Sequence, residues 1–220
     1  MKTAIIFDMD GVLIDSQPLH YQIDMRVLAL CGVPATLDTV TPYTGLSNEL
    51  RWPMYKDAFA LSHTAKQLIA MAEDAMRDIF GKEELVPIDG VTELLQGLNG
   101  MELYCGVASA SPLELVQLVL RRTGLEQYFS GITSVEEVTA SKPAPDIYLA
   151  AAAKVGLPPA QCIAIEDSPA GILSAKNAGF TCIAYKNPST VGQVFDHANY
   201  VLEHFNEGLE LVKKLTVCPQ

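Results

Sequence analysis

Residues 5–16 read IIFDMDGVLIDS, an apolar run that breaks off at two carboxylates, Asp8 and Asp10, two residues apart. The run begins near Thr3 and does not alternate apolar with polar residues, so it reads as a short strand buried on both faces, as in a parallel sheet. Three more runs of this kind occupy residues 102–108, 161–165 and 181–185. Helical patterns lie between them at 91–98, 112–123, 145–155 and 169–178. This alternation predicts a doubly wound α/β domain around a parallel sheet. Two helix starts are marked: Ser111-Pro112-Leu113-Glu114 has the form of a capping box, and Ser168-Pro169 places a cap before a first-turn proline.

One segment interrupts the alternation. From Gln17 to about Glu84 no strand pattern occurs, while Leu19, Ile23, Val27 and Leu30 recur at helical spacing and residues 65–80 form another helical pattern. A segment of this length is too long for a crossover. It is expected to form a small helical cap domain over residues 16–85, inserted into a core of residues 1–15 and 86–220.

Fifteen Lys and Arg stand against 26 Asp and Glu, a net charge of -11 that repels nucleic acid and anionic membranes, so that neither is expected as a partner. No stretch reaches the roughly 20 apolar residues that cross a bilayer, and Asp8 stops the first apolar run far short of a secretion signal. Cys31, Cys105, Cys162, Cys182 and Cys218 are odd in number and widely spaced, three of them inside strand-like runs. They read as reduced, mostly buried thiols, and the protein as cytoplasmic, a monomer or weak homo-oligomer.

Ligands of an open parallel sheet bind beyond the carboxyl ends of its strands. Those ends carry Asp8, Ser109 and the pair Glu166-Asp167, and Lys142 lies between strands ahead of Pro143, which favours an extended loop there. Each residue has a plain structural reading: a turn aspartate, a turn serine, a solvated lysine, acids at a helix start. Together they suit one site. Two carboxylates about 4 Å apart repel by roughly 4 kcal/mol near a protein surface, and a divalent cation offsets that. Oxygen donors without clustered His or Cys point to Mg²⁺, which completes its shell with phosphate oxygens, and Ser109 and Lys142 offer a donor and a charge to such a group.

Phe7 to Gly11 (FDMDG), Val107 to Ser111 (VASAS), Ser141 to Asp146 (SKPAPD) and Ile165 to Gly171 (IEDSPAG) resemble the four ordered motifs of the haloacid dehalogenase-like superfamily, in its β-phosphoglucomutase-like branch. The resemblance covers residues 1–16 and about 88–190 and implies a Rossmann-like core with a helical cap. It implies a Mg²⁺-dependent phosphatase of small phosphorylated metabolites, sugar phosphates foremost. Asp8 is then the nucleophile that forms an aspartyl phosphate. Asp10 is the general acid and base, its backbone carbonyl also helping to hold Mg²⁺. Ser109, with its neighbour Ala110, and Lys142 bind the phosphoryl oxygens, and Asp167 with Glu166 completes the metal site.

The phosphoryl acceptor, water or a sugar, is the finer question. His20 matches a position that helps steer Asp10 in the mutase, and reads equally as a surface histidine. In the cap loop around Gly45, Thr44 and Asn48 stand where the mutase has basic residues for the second phosphate, and Arg51 is the one nearby substitute. Hydrolysis is therefore expected, with sugar-phosphate mutation as the alternative. A receiver-like signalling module also places a phosphorylated Asp, a hydroxyl and a Lys on a parallel sheet, but needs neither the insertion nor Asp10.

Overall fold

The computed structural model describes residues 3–189 and 193–217. Six parallel strands form one sheet: β1 (Ala4–Phe7), β2 (Tyr104–Ser109), β3 (Gly131–Ser134), β4 (Cys162–Glu166), β5 (Thr181–Tyr185) and β6 (Tyr200–Leu202), in the spatial order β3-β2-β1-β4-β5-β6. The order runs outward from β1 in both directions, which is the doubly wound, Rossmann-like arrangement. Four helices have the order and place the sequence predicts: α5 (Val91–Gly100), α6 (Leu113–Arg122), α7 (Asp146–Val155) and α8 (Pro169–Asn177). A last helix, α9 (Gly208–Val217), follows β6.

The central strands are buried along their length, β1 and β4 at every residue. Helix side chains such as Leu115, Val116, Val119 and Leu120 of α6 supply apolar cover, each contributing about 1.5–3 kcal/mol on burial. The two edge strands escape detection in the sequence for a physical reason. In β3 the buried end is Thr133-Ser134, which breaks the apolar run, and β6 is a run of only three residues, Tyr200-Val201-Leu202, of which the first two are exposed. Cys105, Cys162 and Cys182 are buried in β2, β4 and β5, and burial pushes their thiols up to about 12, 11 and 12. Cys31 is a free, half-buried thiol, and Cys218 lies outside the described residues.

The chain divides into two compact units, residues 1–15 with 85–220, and residues 16–84. The second is wholly helical among its described elements: α1 (Gln17–Leu30), the single turn α2 (Leu37–Val40), α3 (Asn48–Ala58) and α4 (Ala65–Lys82). Thr64 and Gln67 cap α4 reciprocally. Leu19, Ile23 and Val27 of α1 are buried, but Leu30 is 65% exposed; Leu28 takes the inward position, and Leu30 lies about 200° round the helix from it. Where the chain leaves and rejoins the α/β unit, Ile14 forms an antiparallel bridge with Pro87 and Leu13 O accepts from Ile88 N at 2.9 Å.

One expected cap is displaced. Ser168 caps α8, its hydroxyl accepting from Gly171 N at 3.0 Å. Ser111 does not cap α6: Pro112 is extended (ψ 147°) and the helix begins only at Leu113, whose N–H goes to Glu136 at 3.2 Å. The Ser111 hydroxyl donates instead to Asp10 Oδ2 at 2.9 Å. A bond to a carboxylate is stronger than one to a neutral acceptor, and the extra extended residue carries Ser111 out of capping range.

Candidate active site

Parallel register decides which side chains meet. Phe7 of β1 lies opposite Val107 on β2 and Ile165 on β4, so Asp8, Ser109 and the Glu166-Asp167 pair leave the sheet at one edge. Asp8 N still donates to Ile165 O at 2.9 Å, which fixes the start of the following loop. The loop then folds on itself, with Leu13 N donating to Met9 O and Gly11 N to Ile14 O. Gly11 stands at φ +79°, and a Cβ there would fall 2.2 Å from Asp167 Oδ2. The glycine both turns the chain and leaves room for the second acid.

Lys142 ties the cluster together from the loop before α7. Its Nζ donates to Asp8 Oδ1 at 2.6 Å, to Glu166 Oε1 at 2.6 Å and to Ala108 O at 3.2 Å, one acceptor for each ammonium proton. Glu166 is wholly buried. Its Oε1 also accepts from the Tyr148 hydroxyl at 2.9 Å, and its Oε2 accepts from Asp167 N, Ser168 N and Ser168 Oγ. The Tyr148 ring faces the ammonium, 5.3 Å from Nζ to its centroid. With five donors on it, Glu166 is a fixed anchor. A Cβ on Gly171 would lie 1.9 Å from its Oε1, so Gly171→Ala should cost about 1–3 kcal/mol of stability, read as a lower urea midpoint; an unshifted midpoint would show the anchor to be movable.

The charges do not balance. Asp8, Glu166 and Asp167 each place a carboxylate oxygen within 4.8 Å of the others, and Lys142 is the ammonium between two of them. Burial raises the Asp8 carboxyl well above its ordinary range; Lys142 opposes this, and Glu166, Asp10 and Asp167 add to it. Burial works against the Lys142 ammonium too, but Asp8 and Glu166 outweigh it and hold the group protonated. An oxygen-only cluster with this surplus of negative charge fits a hard divalent cation such as Mg²⁺. The Asp10 side chain is not one of the three, since its carboxylate is bonded to Ser111.

Of the other predicted residues, Ser109 is fully buried at the end of β2, where its Oγ accepts from Ser111 N at 3.0 Å, and Ala110 beside it is exposed. Thus Asp8, Asp10, Ser109, Lys142, Glu166 and Asp167 gather at one sheet edge. His20 and Gly45 belong to the helical unit: the His20 ring meets Phe80 edge-on with centroids 5.9 Å apart, and Gly45 turns at φ +78°.

In that same unit Arg51 is buried, its Nε 3.4 Å from Asp24 Oδ2 and its Nη2 donating to Asn48 Oδ1 at 2.8 Å. Tyr55 donates to the same Asp24 oxygen at 2.9 Å. Thr44 shares a hydrogen bond with the Tyr21 hydroxyl at 2.9 Å and donates to Thr41 O.

Sequence reasoning missed Tyr148, which reads as a core residue of an alanine-rich helix, and Asn187, which donates to Gly11 O at 3.0 Å while accepting from Ser189 N. It also missed Gln193, whose amide donates to Asp167 O at 3.0 Å. Asn187 and Gln193 hold backbone and Tyr148 holds the Glu166 carboxylate, and no spacing marks them.

The profile of haloacid dehalogenase-like hydrolases matches residues 5–185. Hexitol phosphatase B of Escherichia coli (strain K12) is 35% identical over 187 residues, which cover 84% of this chain and 84% of that protein. A phosphorylated carbohydrates phosphatase of Thermotoga maritima is 30% identical over 176 residues, 80% of this chain and 81% of that one. Among solved structures, β-phosphoglucomutase of Clostridium difficile superposes with a TM-score of 0.79 over 97% of this chain and 96% of that one; at 22% identity the likeness is one of fold. With the profile spanning both the aspartate loop and the Glu166-Asp167 edge, the chain belongs to the haloacid dehalogenase-like hydrolases.

Proposed function

We propose that the protein is a Mg²⁺-dependent phosphatase of phosphorylated sugars or sugar alcohols that works through an aspartyl phosphate on Asp8. The observation that carries this reading is the Lys142 clamp, its side chain 9% exposed and its Nζ 2.6 Å from both Asp8 and Glu166, set among carboxylates that one ammonium does not neutralise. The names of the two relatives support the substrate class. Lys142 holds the Asp8 carboxylate in place for attack on phosphorus. As the bond from Asp8 oxygen to phosphorus forms, the bond from phosphorus to the sugar oxygen breaks, and Asp10 gives that oxygen a proton. Asp10, now a carboxylate, takes a proton from water, which attacks the aspartyl phosphate and frees inorganic phosphate and Asp8. The Ser109 hydroxyl donates to a phosphoryl oxygen. Asp8 and Asp167, with Glu166, would hold Mg²⁺, which would supply positive charge to the transferring group.

Water rather than a sugar is the proposed acceptor. A mutase must grip a second phosphate with free cations, and in the helical unit Arg51 is paired with Asp24 while Thr44 and Asn48 bond within the unit. Release of phosphate from a panel of hexitol, sugar, nucleotide and glycolytic phosphates, with Asp8→Asn protein as blank, tests the reading. Sugar and hexitol phosphates should be cleaved at least tenfold faster than nucleotides. Glucose 1-phosphate with a trace of glucose 1,6-bisphosphate should yield little glucose 6-phosphate; rapid conversion would establish the mutase instead.

A further inference from the structure

Ser111 is left without a role by the reaction just described, yet it is 9% exposed and bonded at both ends of its residue to the machinery. Its hydroxyl donates to Asp10 Oδ2 at 2.9 Å, and its backbone N–H donates to Ser109 Oγ at 3.0 Å. The sequence gives it another task, capping α6, and the fold withholds that task by extending Pro112. A hydroxyl brought 101 residues along the chain to one carboxylate oxygen of a proposed acid and base is placed there by the fold, since helix formation does not require it.

We infer that Ser111 is a positioning residue for Asp10, fixing which carboxyl oxygen carries the proton and linking that oxygen to the phosphate-binding serine. This rests on the proposed role of Asp10. An oxygen that accepts the Ser111 O–H bond is a poor place for a second proton, so the transferable proton sits on Oδ1 and the carboxyl plane is held against rotation. The same residue's N–H occupies a lone pair of Ser109 Oγ, which leaves the Ser109 hydroxyl proton to be given to a phosphoryl oxygen. In the first step the proton moves from Asp10 Oδ1 to the sugar oxygen as the phosphorus–oxygen bond breaks and Asp8 is phosphorylated. Ser111 keeps its own proton throughout and stabilises the carboxylate left on Asp10 by a charge-assisted bond. A sugar alkoxide is a strongly basic leaving group and needs that proton, whereas nitrophenolate leaves without it.

The test compares kcat/KM, which reports only the steps up to the phosphoenzyme, for a hexitol or sugar phosphate and for p-nitrophenyl phosphate. Ser111→Ala should lose about 10–100-fold on the alkyl ester, and the loss should exceed that on the aryl ester at least tenfold. Ser111→Thr, which keeps the hydroxyl, should recover most of it. Equal losses on both esters, or no recovery by threonine, would overturn the inference. Asp10→Asn serves as the reference: if it too loses equally on both esters, the role given to Asp10 fails, and if it alone discriminates between them, only the role of Ser111 does.

Discussion

Asp8→Asn should lower phosphate release by about 10⁴-fold or more while leaving the protein folded. The amide matches the carboxylate in shape and keeps an oxygen for the Lys142 bond, but cannot attack phosphorus. Its effect on stability has a definite sign. Burial above all, then Glu166, Asp10 and Asp167, raise the Asp8 carboxyl against the pull of Lys142. An acid raised in the folded state binds its proton more tightly folded than unfolded. Its contribution to stability is therefore full below the unfolded value near 4 and is lost as pH climbs through the folded value. The amide has no such loss. Without metal at pH 8, the variant should melt at or above the wild-type temperature, and its melting should fall less between pH 4 and 8. Full turnover in the variant would remove the covalent mechanism, and a collapse of its melting temperature would mean that the Asp8 charge supports the fold.

Removing the metal should be as complete in effect. EDTA should stop phosphate release and Mg²⁺ should restore it, because three buried carboxylate oxygens within 4.8 Å share too little positive charge to receive an anionic substrate. Mg²⁺ must also displace the Asp8 proton. Its stabilisation, about 2.7 kcal/mol at a hundred times its dissociation constant, should therefore appear as a larger rise in melting temperature at pH 8 than at pH 5. Metal-independent hydrolysis, or equal rises at both pH values, would count against the acidic cluster as the metal site.

The sequence is most readable where burial is two-sided. The four central strands are continuous apolar runs because helices cover both faces of the sheet, and the residues ending three of them gather at one edge because parallel register places them there. The family resemblance carried by these strand ends is matched by the profile over residues 5–185. The edge strands were hidden because β3 ends in Thr133-Ser134 and β6 is only three residues long, too short a run to stand out. The capping reading of Ser111 failed because a local motif is silent about a partner 101 residues away. Tyr148 and Asn187 were out of reach for the same reason, since their partners are set by the tertiary fold.

The bridge between Ile14 and Pro87 has a counterpart in the layout of the gene. The chain departs from the α/β unit and returns to it through neighbouring segments, so residues 16–84 form an insertion that adds no strand to the sheet. None of the six strands, and none of the acids at the sheet edge, lies within that stretch. In the gene the helical unit is one contiguous stretch, whereas the strands and acids of the α/β unit are written on either side of it.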